Sequence, residues 1–280
     1  MVNKTQQYIL DIYKQVAKIC ERHRLRYFAI GGTCIGAVRH HGFIPWDDDM
    51  DIAMPIEDFN MFREIIKTEL PSYLTVMDPG VAKHDYLEYL KVMDARTMMT
   101  EPTFLRWPDT YEGVWLDIMP LGGIPNSGIN RKKYLRKLKR YTRFNYKLRT
   151  DINMQKSLTG KLFGSVVHLF RPFIDYQYFW KRWLKHVSQY SFSDSQYTGY
   201  IWSKRVDKLI FSTEWFGDYV EMPFEDTTIR MPVGWDAMLT QMFGDYMELP
   251  PTEKQQSNHE IDEGIVDFTT SYQAYQSKNK

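Results

Sequence analysis

The sequence predicts an α/β fold with a helical insertion and a C-terminal portion that packs back on the first half. Apolar runs and amphipathic periods alternate over the first 120 residues, and mixed patterns return after about residue 195. Between them, 131–149 has ten Lys or Arg and no acid. Such mixing is typical of a sheet covered by helices. We expect a core over 1–125, the insertion over 126–195, more of the core over 196–255, and a polar, partly disordered tail over 256–280.

Composition limits the class of protein. The 280 residues carry 36 Lys and Arg against 35 Asp and Glu, and a net charge of +1 argues against a dedicated nucleic-acid binder. Cys20 and Cys34 cannot build a disulfide framework, and no CxxC pair suggests structural zinc. The start reads as a charged amphipathic helix rather than a secretory signal, and no apolar run is long enough to span a membrane. We therefore expect a cytoplasmic protein.

Helix and strand patterns alternate in the first half. Apolar residues from Tyr8 to Cys20 recur at three- and four-residue spacing, which predicts an opening helix. The run Tyr27–Ile30 predicts a strand that ends in a tight turn at Gly31–Gly32, after which Thr33 caps a short helix. The other predicted elements are strands at 46–54, 86–93, 97–100 and 113–119 and a helix from Pro55 to about residue 70.

The second half opens with helices and returns to mixed structure. From 131 to about 190 the pattern is helical, with interruptions expected at Gly160, Gly164 and Pro172. The remaining predicted elements are strands at 197–202, 220–224 and 228–231 and a helix at 235–243 capped by Gly244.

The most informative stretch is Ile44–Pro55, which carries four aspartates. In a strand, Asp47, Asp49 and Asp51 project to one face and Asp48 to the other. Three like charges on one face repel one another, and a cation between them relieves that repulsion. Carboxylate oxygens favour magnesium, manganese or calcium over zinc.

Three interpretations of these acids compete. A calcium loop of the EF-hand kind fails, because its sixth and twelfth positions would be Ile52 and Asp58 rather than glycine and glutamate. A solvated acidic turn leaves the apolar flanks unexplained. The third interpretation is a phosphoryl or nucleotidyl transfer site, where strand carboxylates hold divalent ions against phosphate oxygens.

Two other segments favour the transfer site. Asp117 is a single acid within the apolar run Val114–Met119, and such sites usually take one more carboxylate from a neighbouring strand. A buried acid that caps a turn is the alternative for Asp117. Gly31–Thr33 precede a short helix, where backbone N–H groups can hold a phosphate. The order strand, Gly-Gly-Thr, helix and acidic strand is more specific than a glycine pair alone.

These residues resemble the signature of the LicD family of phosphotransferases, which is related to fukutin-related protein and has a nucleotidyltransferase-type fold. The most specific block is 31–40 followed by 42–52, which contains the run IPWDDDMDI. Corroborating blocks are 91–97, 115–118 and 224–251. The resemblance implies a nucleotidyltransferase-like mixed sheet for the core.

The resemblance also implies an activity. Such a transferase moves a phospho-alcohol, typically phosphocholine from CDP-choline, to a sugar hydroxyl of a cell-surface glycan and releases CMP. Teichoic acid, lipopolysaccharide or a capsule precursor is the expected acceptor, and some members use a CDP-alditol as donor. The implied cofactor is Mg²⁺ or Mn²⁺, and no nucleic acid is expected as a partner.

Roles for individual residues follow from that reaction. Asp49 and Asp51 are expected to hold the catalytic metal, with Asp47 as a further ligand. Asp117 completes the site and accepts the proton of the acceptor hydroxyl. The donor phosphate is expected to contact Gly31, Gly32, Thr33, Arg39 and Lys91. For the two basic residues an ordinary ion pair is the alternative. Candidate contacts for a choline ammonium are Trp46, Trp107 and Trp115, whereas His40 and His41 have no assigned role.

The basic stretch predicts a second kind of contact. Tyr134, Leu138 and Leu148 follow one helical face of 131–149 and leave the bases mostly outside it. The absence of acids indicates an anionic membrane surface or a polyanionic acceptor, with plain solvation as the third interpretation. Contact is expected through Lys132, Lys133, Arg136 and Lys137. Peripheral binding to the inner face of the membrane would follow, and the apolar stretch 158–170 can lie at such an interface.

Two functions of other classes remain open at this stage. A sugar-nucleotide glycosyltransferase also uses an Asp-x-Asp metal site, although its acids normally follow a nucleotide-binding α/β half. A non-catalytic glycan- or lipid-binding module could keep the fold, although the complete set of acids argues against it.

Overall fold

The computed structural model describes residues 2–81, 87–100, 112–126, 128–149, 158–170, 173–256 and 265–278. The helices are α1 (Lys4–His23), α2 (Gly31–His40), α3 (Ile56–Glu69), α4 (Gly128–Arg149), α5 (Leu158–Phe170), α6 (Tyr176–Val187), α7 (Trp235–Phe243) and α8 (Tyr272–Lys278). The strands are β1 (Phe28–Ala29), β2 (Asp51–Pro55), β3 (Leu74–Met77), β4 (Leu90–Asp94), β5 (Met98–Thr100), β6 (Trp115–Ile124), β7 (Tyr197–Tyr200), β8 (Ile210–Ser212), β9 (Tyr219–Phe224), β10 (Thr227–Pro232) and β11 (Ile265–Asp267). The α/β class is confirmed.

Strand β6 is the axis of a seven-stranded mixed sheet. Its middle, 117–121, pairs in parallel with β2. Its first residues, 115–118, pair antiparallel with β4, and its last, 121–124, pair antiparallel with β7. The sheet continues through β1 beyond β2, through β3 beyond β4, and through β8 beyond β7. All ten residues of β6 are buried, because protein covers both faces of this strand.

Helix α1 packs on the sheet through its periodic apolar face, as predicted. The Asn3 side chain accepts a hydrogen bond from the Gln6 backbone N–H, and the Gln6 side chain accepts one from the Asn3 N–H, so the helix starts with a capping box. Ile12, Val16 and Cys20 are at most 1% exposed on the inner face. The helix thereby covers β4 and β6.

The C-terminal portion packs back on the core. Hairpin β9–β10 lies beside β1, and the Tyr13 hydroxyl donates to the Thr228 carbonyl at 3.0 Å. At the hairpin turn, the Glu225 N–H donates to the His41 carbonyl at 2.8 Å, and the Glu225 carboxylate accepts from the Phe43 N–H at 3.0 Å. These bonds fix the loop between α2 and β2, which carries the aspartates.

Helices α4, α5 and α6 occupy the segment predicted as a helical insertion. Helix α4 contacts both of the others. Tyr134 of α4 packs against His186 of α6 with ring centroids 4.6 Å apart, and Trp180 stacks on Trp183 at 4.7 Å. Aromatic packing therefore holds α6 in place.

The burial of His186 predicts a pH-dependent stability of the insertion. Its Nε2 lies 3.2 Å from the Tyr134 carbonyl oxygen, and its buried Nδ1 has no acceptor among the described residues. Burial lowers the pKa of His186 below its ordinary 6.5. The unfolded chain then binds more protons at mildly acidic pH than the folded protein does. The contribution of His186 to stability is therefore fully present above about pH 6.5 and is lost as the pH falls below that value.

We therefore expect the melting temperature to fall as the pH is lowered from about 7.5 to about 5.5. We expect this fall to be smaller in His186→Phe. His41→Asn is the matched control, because His41 is exposed and has φ 54, which asparagine tolerates. Differential scanning fluorimetry at several pH values measures the effect. An unchanged pH dependence in His186→Phe would contradict the prediction.

Two local predictions around the acids are wrong. Gly31 and Gly32 are the first residues of α2 rather than a tight turn, and Ile30 is the N-cap, so Thr33 lies inside the helix. The strand expected at 46–54 begins only at Asp51.

A third local prediction, for the glycines of the insertion, is also wrong. Gly160 and Gly164 lie inside α5 and do not interrupt it, and Gly164 is buried. Pro172 lies outside the described residues.

The last described segment is part of the structure, although its composition is polar. Strand β11 pairs with β5, Phe268 stacks on Tyr8 at 5.3 Å, and the Tyr272 N–H donates to the Thr97 carbonyl at 2.9 Å. The domain boundaries stay a prediction. Within the described ranges, none of the helices combines the length and apolarity that crossing a membrane requires.

Candidate functional site

Asp51 and Asp117 are direct neighbours in the sheet. They occupy paired positions of the parallel strands β2 and β6, so their side chains leave the same face of the sheet. The Asp117 N–H donates to the Met50 carbonyl at 3.1 Å, which fixes this register at the very start of β2. Asp117 is 6% exposed. Asp51 and Asp117 are therefore adjacent at the start of β2, just after the acidic segment.

A loop of three aspartates, here called the acidic loop (Asp47–Asp49), lies just before β2. Each offers a carboxylate oxygen, and these oxygens lie within 4.8 Å of one another. The alternation predicted from a strand is wrong here, because Asp48 joins Asp47 and Asp49 instead of facing away. The Gln6 side-chain amide donates to the Asp47 carbonyl at 2.8 Å and holds the loop on α1.

The N-terminus of α2 lies against these carboxylates. A Cβ on Gly32 would come within 2.8 Å of Asp47 Oδ2, and one on Gly31, which has φ +55, would lie 3.9 Å from Asp51 Oδ2. Glycine at these positions lets the helix backbone approach the acids. Thr33 Oγ1 accepts from the Asp51 N–H at 2.9 Å and ties the first turn of α2 to β2. The predicted Gly-Gly-Thr segment and the acids therefore form one site.

Lys91 lies beside Asp117 on the neighbouring strand, but its ammonium contacts other side chains inside the protein. It is paired with Asp117 in the β4–β6 register. Its Nζ lies 2.6 Å from Glu112 Oε2 and 3.7 Å from the centre of the Trp115 ring. Lys91 and Trp115 are each 1% exposed. Both side chains therefore make contacts inside the protein, and the contacts of Lys91 with donor phosphate and of Trp115 with choline stay predictions.

Arg39 lies at the opposite end of α2 from the glycines. Eight residues of helix separate it from Gly31, which is about 12 Å. Its guanidinium donates to the carbonyls of Tyr246 and Glu248 at 3.0 and 3.2 Å and to His40 Nε2 at 3.0 Å. Its side chain therefore fastens the segment after α7, and the contact of Arg39 with donor phosphate stays a prediction.

The remaining predicted residues have mixed outcomes. Trp46 is half-buried beside the acidic loop, and its ring meets the His40 ring edge-on at 6.2 Å. Trp107 lies outside the described residues. On α4, the apolar face is buried as predicted, and Lys132, Lys133, Arg136 and Lys137 are all exposed.

One cavity was not predicted from the sequence. It has a volume of about 290 Å³ and lies where the entry to β4, the helix α4 and the exit from β7 meet. Its walls include Glu88, Tyr89, Tyr146, Trp202, Lys204 and Arg205. No pattern could have found it, because its residues come from three of the predicted segments.

Aromatic contacts link this cavity to the acids. Trp202 meets Tyr89 edge-on at 5.9 Å and stacks on Tyr200 at 5.6 Å. Burial, and then the charges of Cys34 and Asp51, raise the pKa of Tyr200 well above its usual range. Trp202 Nε1 is buried with no hydrogen-bond acceptor among the described residues. The cavity thus has flat aromatic walls.

Comparisons with known proteins find relatives of this chain. Residues 24–120 match the family model described as LicD/FKTN/FKRP, nucleotidyltransferase domain. The chain is 28% identical over 263 residues to the lipopolysaccharide cholinephosphotransferase LicD of Haemophilus influenzae, which covers 89% of this chain and 92% of that protein. It is 34% identical over 59 residues to the ribitol 5-phosphate transferase FKRP of Homo sapiens and of Mus musculus, 21% of this chain and 12% of FKRP. The matched range contains the acidic loop, Asp51 and Asp117.

Proposed function

Residues 24–120 are a LicD-family nucleotidyltransferase domain, and on that premise we propose that this chain transfers a phospho-alcohol from a CDP-linked donor to a glycan hydroxyl. Phosphocholine is the proposed group, since similarity to a cholinephosphotransferase extends over 92% of that relative. A cell-surface glycan such as lipopolysaccharide is the proposed acceptor. The observation that carries the proposal is the pairing of Asp51 with Asp117 beside the acidic loop and the N-terminus of α2.

The acids fit a divalent cation. Every candidate ligand is a carboxylate, and three carboxylate oxygens of the acidic loop come within 4.8 Å of one another. Hard oxygen donors of this kind favour Mg²⁺ or Mn²⁺. We propose that Asp49, Asp51 and Asp117 hold the ion, with Asp47 and Asp48 beside them. When bound, it would neutralise charge that develops on the phosphate oxygens.

The chain's own residues would position and deprotonate the acceptor. In the reaction, the acceptor oxygen bonds to the phosphorus that carries the alcohol, while the bond from that phosphorus to the bridging oxygen breaks. CMP leaves with that electron pair. We propose that the Asp117 carboxylate takes the hydroxyl proton. The first backbone N–H groups of α2, at the glycines, favour an anion and would orient the donor phosphates.

The cavity is our candidate for a part of the donor or acceptor remote from the reacting phosphorus. Its flat aromatic walls suit a ring that stacks on them. We expect Trp202→Ala to raise KM for one of the two substrates about tenfold with a smaller change in kcat. Steady-state kinetics with each substrate varied in turn measures this, and Trp235→Ala, which changes a half-buried tryptophan of α7, is the control. An equal loss in kcat would contradict the assignment.

Nucleotide release distinguishes the candidate functions. The protein is incubated with Mg²⁺, a glycan acceptor and, separately, CDP-choline, CDP-ribitol or UDP-sugars. We expect CMP from a CDP donor, together with phosphorus in the glycan by mass spectrometry. UDP release alone would instead indicate a glycosyltransferase. Absence of release from every donor, in a protein that binds the glycan, would indicate a non-catalytic module. A parallel reaction with EDTA tests the metal requirement.

A further inference from the structure

Helix α5 presents its apolar side chains to solvent and its small ones to the protein. The exposed apolar side chains are Leu158, Leu162, Phe163, Val166, Leu169 and Phe170, between 47% and 85% exposed. At about 100° per residue they span an arc of about 140°. Gly164 and Val167 are buried on the opposite side. This is the reverse of a helix that packs on its own core.

The contacts of α5 with α4 explain the orientation. Lys147 Nζ donates to the Gly160 carbonyl at 3.3 Å, and His168 Nε2 lies 3.0 Å from the Lys147 carbonyl oxygen. Buried Leu148 lies at this same end of α4. Since the glycine face is already seated on α4, the apolar face has to point away from it. Phe173, just beyond the helix, is 84% exposed and adds to the apolar surface.

Charge is segregated into the same region. Helices α4, α5 and α6 hold 14 of the 36 lysines and arginines and none of the 35 acids, so the rest of the chain has 22 bases against 35 acids. Lys132, Lys133, Arg136 and Lys137 of α4 and Lys161 of α5 are exposed. The exposed apolar face of α5 and the exposed bases thus belong to the same three-helix segment of an otherwise acidic molecule.

We propose that α5, together with Phe173 and the exposed bases of α4, is a docking surface for an anionic lipid bilayer. Its apolar face would enter the boundary between headgroups and acyl chains, and the bases would lie at headgroup phosphates. A second copy of the chain fits this surface less well, because it would bring another fourteen bases against the first set. The proposal is independent of the catalytic one.

Vesicle flotation tests the docking surface. The protein is mixed with vesicles of phosphatidylglycerol and phosphatidylcholine in equal parts, or of phosphatidylcholine alone. We expect strong flotation with the anionic vesicles and a decline with added salt. The apolar variant replaces Leu162, Phe163, Leu169 and Phe170 by Gln, and we expect it to lose partitioning about tenfold or more. Reversal of Lys132, Lys133, Arg136 and Lys137 to Glu should lower binding on the order of a thousandfold or more.

The controls separate docking from other causes. Met61, Val233 and Leu249 are exposed apolar residues elsewhere, and their replacement by Gln should leave flotation unchanged. Because the substituted α5 side chains are largely exposed, circular dichroism and melting temperature should match the wild type. Lack of wild-type flotation, or undiminished flotation of the apolar variant, would overturn the proposal. Light scattering that shows a dimer, abolished by the apolar variant, would assign the surface to a second copy instead.

Discussion

Asp51→Asn is expected to lower turnover on the order of a thousandfold while the protein stays folded. The change keeps the shape of a side chain at the start of β2 but removes the charge of the carboxylate that is paired with Asp117 in the sheet. Asp49→Asn and Asp117→Asn should be similarly severe. The matched control is Asp11→Asn, an exposed aspartate of α1. CMP release and thermal melting are measured on the same preparations.

Asp48→Asn provides a sharper version of this experiment. A strand over 46–54 would point Asp48 away from the site and make its substitution harmless, whereas the structure groups its carboxylate with Asp47 and Asp49. We expect a weaker apparent affinity for Mg²⁺, read from activity against metal concentration. Wild-type metal dependence in Asp48→Asn, together with full activity in Asp51→Asn, would place the metal site elsewhere.

Glu112→Gln is expected to destabilise the protein by about 3 to 5 kcal/mol, because it removes the carboxylate that lies 2.6 Å from the buried Lys91 ammonium. For a chain of this length the melting temperature should fall by roughly 10 °C. The Trp115 ring beneath the ammonium would offset a small part of the loss. Chemical denaturation gives the free energy of unfolding directly.

The double variant Lys91→Met with Glu112→Leu separates structure from function. Removing both charges should recover most of the stability, since an apolar pair replaces a buried ion pair at little cost. If Lys91 serves only structure, activity recovers as well. A stable but inactive double variant would mean that Lys91 contacts the donor, as the sequence suggests and the buried pair does not. Glu112→Gln with wild-type stability would refute the destabilisation.

The residues of the site were easier to predict from the sequence than their arrangement in space. Asp117 stands in an apolar run, so a paired carboxylate was foreseeable, and the register that sets it beside Asp51 is a property of the whole sheet. The acidic loop shows where the rule that strand side chains alternate between faces fails as a prediction. The Asp47 N–H donates to the Ile44 carbonyl and turns the segment before β2, and the Gln6 side chain donates to the Asp47 carbonyl. Neither hydrogen bond produces a periodic pattern in the sequence. Short-range patterns thus identified the residues, while long-range contacts decided their directions.

The basic residues also show that local sequence patterns do not determine the contacts of a side chain. Arg39 lies in the most specific block of the sequence, yet its partners are carbonyls 207 and 209 residues away. Lys91 likewise depends on Glu112, 21 residues further along. A charge in a motif can therefore serve packing as well as substrate, and only the three-dimensional neighbours distinguish the two.

The double pairing of β6 has a consequence for synthesis of the chain. Its first half can pair with β2 and β4 as soon as residue 124 is made, but its second half pairs with β7, where Thr198 Oγ1 bonds the Gly122 carbonyl 76 residues later. At about 5 to 20 residues per second, this edge stays open for roughly 4 to 15 s during translation. An apolar strand edge exposed for that long can pair with another nascent chain. Ribosome-bound folding intermediates of this protein should therefore need a chaperone until residue 200 has emerged.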